Sequence, residues 1–145
     1  MYITHTKDTQ SSTYADALAI RKEVFIKEQE VPIAREIDEN EQQAIHFVLY
    51  NDQKEPLATV RLLPSGHHTV KVQRMAVVKQ ARNHHYGKII MQEAENYANN
   101  HGYQKMTLGA QISARNFYQN LGYQEEGDIF LDVGIKHVTM IKNLF

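Results

Sequence analysis

The chain has 145 residues, 42% hydrophobic and 23% charged, which suits one soluble globular domain over residues 1–145. Sixteen Lys and Arg against seventeen Asp and Glu leave a formal net charge of −1, which argues against a surface built for nucleic acid or acidic lipid. The absence of cysteine excludes disulfides, thiolate metal ligands and a cysteine nucleophile. With neither a signal-peptide start nor a bilayer-length apolar run, the expectation is a cytoplasmic protein with no membrane partner.

In chain order, Tyr2 to Thr6 reads as a short edge strand. Ser12 or Thr13 can cap a helix whose apolar residues Tyr14, Ala17, Leu18, Val24 and Phe25 recur near a 3.6 period. Arg21 falls on that apolar stripe, where a cation needs a partner. Glu28, Glu36 or Asp38 would serve, and so would a carboxylate on a ligand. The helix should weaken near Glu28-Gln29 and end before Val31-Pro32, because the residue before proline avoids helical geometry.

Ala44 to Tyr50 and Leu57 to Leu63 then form a hairpin across the turn residues Asn51 to Pro56. After Pro64-Ser65-Gly66 a strand runs from about Thr69 to Val78. Its alternation changes phase: Val70 and Val72 share one parity, Met75 and Val77 the other. A bulge near Gln73-Arg74 would put both pairs on one face; otherwise both faces are buried.

Tyr86, Ile89, Ile90, Ala94, Tyr97 and Ala98 make the apolar face of the next helix, which Gly102 stops. Met106 to Gln111 resumes as a strand, so strand, helix and strand read as a βαβ crossover with parallel strands. A second helix, capped by Ser113, carries Ala114, Phe117, Tyr118 and Leu121 and stops at Gly122. Strands around Tyr123 to Leu131 and Val133 to Ile141 close the chain. The expected fold class is α/β, a central mixed sheet with helices on both sides.

Chemistry concentrates where the chain leaves the strand at Val77 and opens the helix at Gly87. Helix starts present unpaired N–H groups and the positive end of the dipole, so they bind phosphates. Gly87 allows close backbone approach, and Arg82 and Lys88 add positive charge. The same turn is also compatible with an ordinary strand-to-helix junction and a solvated basic rim.

Arg82-Asn83-His84-His85-Tyr86-Gly87 resembles the R/Q-x-x-G-x-G/A segment of the GCN5-related N-acetyltransferase (GNAT) family, and Ala114 to Tyr123 is similar to its A-x-x-F-Y-x-x-x-G-F/Y segment. Both segments stand in the family's order and separation. Arg21 to Gln29 and Glu36-Ile37-Asp38 resemble the first part of a small bacterial GNAT subgroup, and Gly134 to Met140 its closing strand.

The resemblance implies a GNAT-like acyl-CoA N-acyltransferase fold that moves an acetyl group from acetyl-CoA to a primary amine. Asn83, His84, His85, Tyr86, Gly87 and Lys88, with Arg82, would hold the pyrophosphate; Met75, Ala76 and Val77 would meet the pantetheine arm. Tyr118 would be the general acid at sulfur, its alternative being a core aromatic. His85 stands where the motif has glycine, so it is expected to keep a standard backbone conformation. Its imidazole would either approach the phosphates or face solvent.

Glu28, Glu36 and His46 are candidate bases, though His46 and His137 also read as buried structural histidines. Eight histidines suggest no metal: the adjacent pairs His67-His68 and His84-His85 diverge, and no H-E-x-x-H helix exists. Two other readings are an acyl-CoA-binding regulatory domain and an acyl-homoserine-lactone-synthase-like acyltransferase. The acceptor would be a small-molecule or peptide amine, amino-acid-like if Arg21 binds its carboxylate, and the chain a monomer or homodimer.

Overall fold

The computed structural model describes residues 1–33 and 37–144. Seven strands form one sheet: β1 (Tyr2–Thr6), β2 (Ile45–Tyr50), β3 (Pro56–Gly66), β4 (Thr69–Val77), β5 (Lys105–Gln111), β6 (Gln124–Asp132) and β7 (Ile135–Asn143). Their order is β1-β2-β3-β4-β5-β7-β6, and only β4 and β5 run parallel. Among the described residues, the helices α1 (Ser12–Arg21), α2 (Tyr86–Asn100) and α3 (Arg115–Asn120) flank the sheet. A π-helical stretch, Lys22–Glu28, continues α1 and closes with the Gln29 amide bonded to the Val24 carbonyl at 3.0 Å.

The sheet is covered on both faces, as the alternation in β2 requires. Phe47 and Leu49 point to one side, where Val60, Leu62, Val70, Met106 and Met140 meet Ile90, Ala94 and Ala98 of α2. Val48 and Tyr50 point to the other, where they pack with Ala76 and Val78 against Ala17, Ile20 and Val24. Burying a side chain the size of Ile90 stabilises by roughly 1.5–3 kcal/mol.

The phase change in β4 is a bulge. Thr59 pairs with Ala76 and Arg61 with Gln73, so Arg74 and Met75 together oppose Val60, and Arg74 takes a left-handed φ of 56°. Val70, Val72, Met75 and Val77 consequently share the α2 face, while Ala76 turns to α1.

A bulge bends its strand and raises the local twist. Here β4 and β5 pair only through Thr69–Lys105, Val70–Met106 and Lys71–Thr107. Beyond them β4 stays with β3 as far as Val77, and β5 stays with β7 as far as Gln111. The sheet therefore splits into two wings with a cleft between them.

Four expectations are corrected. Ser11, not Ser12 or Thr13, caps α1: its Oγ accepts from the Tyr14 amide at 3.2 Å, and its own hydroxyl is held by the Asp8 carbonyl at 2.7 Å. Ser113 caps nothing, because it sits inside a 3-10 turn, Ile112–Ala114, that feeds α3. Pro64 to Gly66 belong to β3, since Pro64 and Gly66 still pair with Val70 and Thr69.

The fourth concerns Arg21, which meets a carboxylate not among those expected, while Glu36, one that was, lies outside the described residues. Arg21 is buried under α1 and binds Glu41 through both terminal nitrogens, at 2.7 and 3.0 Å. Glu41 also accepts from Tyr14 and from the buried Arg61, which reaches Asp38 and Gln73 as well. Burial alone would raise the Glu41 carboxyl, but the hydrogen bonds and charge of Arg21, with Tyr14 and Arg61, outweigh it and hold the pKa below the usual range. Arg61 within an apolar strand was a signal of the same kind as Arg21, and it completes this network.

Candidate active site

The loop between β4 and α2 is shaped by its own backbone. After a 3-10 turn, Lys79–Ala81, Arg82 is extended, Asn83 has φ 69° and His85 has φ 65°. His85 therefore takes the left-handed conformation expected of glycine, contrary to the sequence expectation. Asn and His visit this region more readily than most residues, at a cost of roughly 1–2 kcal/mol. His85 is exposed and stands at the N-cap of α2, which no side chain caps.

Gly87 is favoured for a different reason. A Cβ there would lie 3.3 Å from Phe117 Cζ and 3.7 Å from Val77 Cγ2, so the bare backbone lets α2 start against both α3 and β4. Arg82 braces the loop. Its Nε donates to the Val77 carbonyl at 3.0 Å, and its terminal nitrogens grip Glu28 at 2.7 and 2.8 Å.

These residues surround a cavity of about 560 Å³ at the mouth of the cleft. Met75, Val77, Arg82, Asn83, His85, Tyr86, Gly87 and Lys88 all line it, with Phe117 opposite. Two other residues expected at the site stand apart. The Ala76 side chain is buried toward α1, and His84 is exposed with its ring 5.9 Å from that of Tyr86. An uncapped helix start flanked by Arg82 and Lys88 suits an anion, and the apolar wall of Met75, Val77 and Phe117 suits an uncharged arm.

Met75 also lines a second cavity of about 660 Å³, walled by residues of both wings. Gln73 and Arg74 come from β4, Gly109 to Gln111 from β5, Phe25 and Gln29 from the end of the first helical segment, and His137 from β7. Tyr118 lies in this wall, its ring set edge-on between Phe117 and Tyr123. Burial raises its phenol to about 12, so it stays protonated at neutral pH. No sealed polar side-chain atom among the described residues lacks a partner, so the unbonded Tyr118 hydroxyl opens on the cavity.

The candidate bases fare differently. Hydrogen bonding from Arg82 lowers the Glu28 pKa, which makes this carboxylate a weak base. His46 is 1% exposed and donates Nε2–H to the Glu41 carbonyl at 2.8 Å, away from both cavities. Glu36 lies outside the described residues. Among the described residues no three His, Cys, Asp or Glu side chains are placed to hold a metal, and no helix is long and apolar enough to cross a membrane.

Comparison with known proteins bears on this geometry. Residues 8–144 match the family model described as an acetyltransferase (GNAT) domain. The uncharacterized N-acetyltransferase YjcF of Bacillus subtilis is 39% identical over 129 residues, covering 88% of this chain and 91% of YjcF. The uncharacterized protein YyaT of the same organism is 37% identical over 139 residues, 94% of this chain and 93% of YyaT. Among solved structures, a candidate N-acetyltransferase from Lactobacillus plantarum superposes with a TM-score of 0.92 at 27% identity, covering 99% of this chain and 98% of that one.

Proposed function

The chain belongs to the GNAT acetyltransferase family, and from that premise we propose that it is an acetyl-CoA-dependent N-acetyltransferase acting on a primary amine of a small molecule or peptide. The observation that carries this reading is the junction of the two cavities at Met75. One has a phosphate-suited helix start, and the other holds a protonated phenol. A donor bound along the first would deliver its acyl end to the second, where an acceptor can enter.

Each group in the site then has a task. The amides from Asn83 to Lys88, with Arg82 and Lys88, hold the pyrophosphate. Met75 and Val77 lie along the pantetheine arm. Tyr118 donates its proton to the departing sulfur, where negative charge grows as the C–S bond breaks.

A regulatory domain that only binds acyl-CoA would not need a phenol open to the second cavity. Free-thiol release from acetyl-CoA, measured against amino acids, polyamines, aminoglycosides and peptide N-termini, tests the proposal. Transfer to an amine without S-adenosylmethionine supports it. Coenzyme binding with no transfer to any amine class would replace it with the regulatory reading.

A further inference from the structure

Among the described residues lining the second cavity, His137 is the one imidazole, and the proposed chemistry has not used it. It sits on β7 opposite Gln111, at the end of β5 where the two wings have separated. Both His137 and Gln111 line the cavity that also holds Tyr118.

Its ring is fixed twice. Nδ1 lies 2.8 Å from the Ile135 carbonyl, and a carbonyl can only accept, so Nδ1 carries the proton. Phe130 stacks on the ring with centroids 5.7 Å apart and planes 25° from parallel. The neutral imidazole must then keep its lone pair on Nε2. Nε2 has no bonded partner among the described residues, and none of their sealed polar atoms is left unsatisfied, so this lone pair opens on the cavity. His46 makes the opposite arrangement, with its Nε2 spent on the Glu41 carbonyl.

We infer that His137 is the general base of the transfer, its Nε2 taking a proton from the acceptor ammonium. The inference rests on the proposed acetyl transfer. Protons and bonds balance as follows. The ammonium gives its first proton to Nε2, from which it leaves to solvent. The neutral nitrogen forms the C–N bond as the C–S bond breaks, and Tyr118 protonates the sulfur. The second nitrogen proton, lost as the amide forms, restores the Tyr118 phenol. The products are the amide, the free thiol and one proton.

Other charged or titratable groups face the same cavity: Tyr118 from α3, Arg74 from β4, Asp132 from β6, and Asp38 and Glu39 from the segment before β2. Among the described groups on this cavity, none but His137 offers a neutral nitrogen lone pair.

The test uses His137→Asn, whose amide replaces the Nδ1 donor to Ile135 but offers no base. Thiol release from acetyl-CoA with 2-phenylethylamine is followed against pH, and diethyl pyrocarbonate, which acylates a free imidazole lone pair, is mapped by mass spectrometry. The expected results are acylation of His137 in the wild type, and a kcat about 10²-fold lower in the variant with a changed pH profile. Acetyl-CoA should still raise the variant's Tm. An unmodified His137, or a variant with wild-type kcat and pH profile, would overturn the assignment alone. A wild-type chain transferring acetyl to no amine would overturn the proposed transfer and this inference with it.

Discussion

Arg82 and Glu28, fifty-four residues apart, meet through two parallel hydrogen bonds of 2.7 and 2.8 Å. The pair ties the end of the first helical segment to the loop that opens α2. Hydrogen bonding from Arg82 lowers the Glu28 pKa, so this carboxylate stays charged to lower pH than an unpaired one. Replacing Glu28 with Gln should therefore reduce kcat by far less than the roughly 10²-fold that loss of a general base costs. Acetyl-CoA turnover with a saturating amine measures this. A 10²-fold fall would restore Glu28 as a base.

Acetyl-CoA should stabilise the folded chain. At one hundred times Kd, linkage adds about 2.7 kcal/mol. Gly87→Val should abolish most of that gain, because even its Cβ would press on Phe117 at 3.3 Å. Thermal melts with and without millimolar acetyl-CoA decide the matter. A Gly87→Val variant that kept the full shift would show that the helix start does not hold the coenzyme.

Tyr118→Phe preserves the ring that packs against Phe117 and Tyr123 and removes only the hydroxyl. Acetyl-CoA affinity and Tm should barely change, while kcat falls at least about tenfold, toward the 10²- to 10⁴-fold typical of a lost acid. Unchanged kcat with chemistry rate-limiting would leave Tyr118 a core residue.

Glu41 joins Arg21, Arg61 and Tyr14 beneath α1. Removing one partner of a buried ion pair typically costs about 3–5 kcal/mol, and Glu41→Ala should fall in that range by urea unfolding. A loss near zero would mean that this network adds little to stability.

Burial lowers the His46 pKa from 6.5, so the folded chain binds fewer protons there than the unfolded chain. That contribution is fully present above pH 6.5 and is lost as pH falls through the depressed folded value. The urea midpoint should decline over this window, and His46→Gln should flatten the decline. Glu41, also lowered, adds a second loss at more acid pH.

Much of the fold was legible in the chain because its signals are local. The 3.6-residue stripe from Tyr86 to Ala98 demanded a buried helix face, and three of its members, Ile90, Ala94 and Ala98, are fully enclosed. The parity change at Gln73-Arg74 marked the bulge that bends β4. The glycine at 87 and the cations beside it marked an anion-suited helix start, since helix dipoles and unpaired amides follow from the helix itself.

Only the tertiary structure decided which distant groups meet. Glu41 as a partner of both Arg21 and Arg61 lay outside any spacing rule, because each contact spans twenty residues. The left-handed turn at His85 departs from the standard conformation expected of it and stands where the loop from β4 opens α2. His46 and His137 look alike in sequence, each a lone histidine in a strand. One is sealed against a carbonyl and the other faces the cleft, a difference made by the splitting of the sheet beyond Lys71.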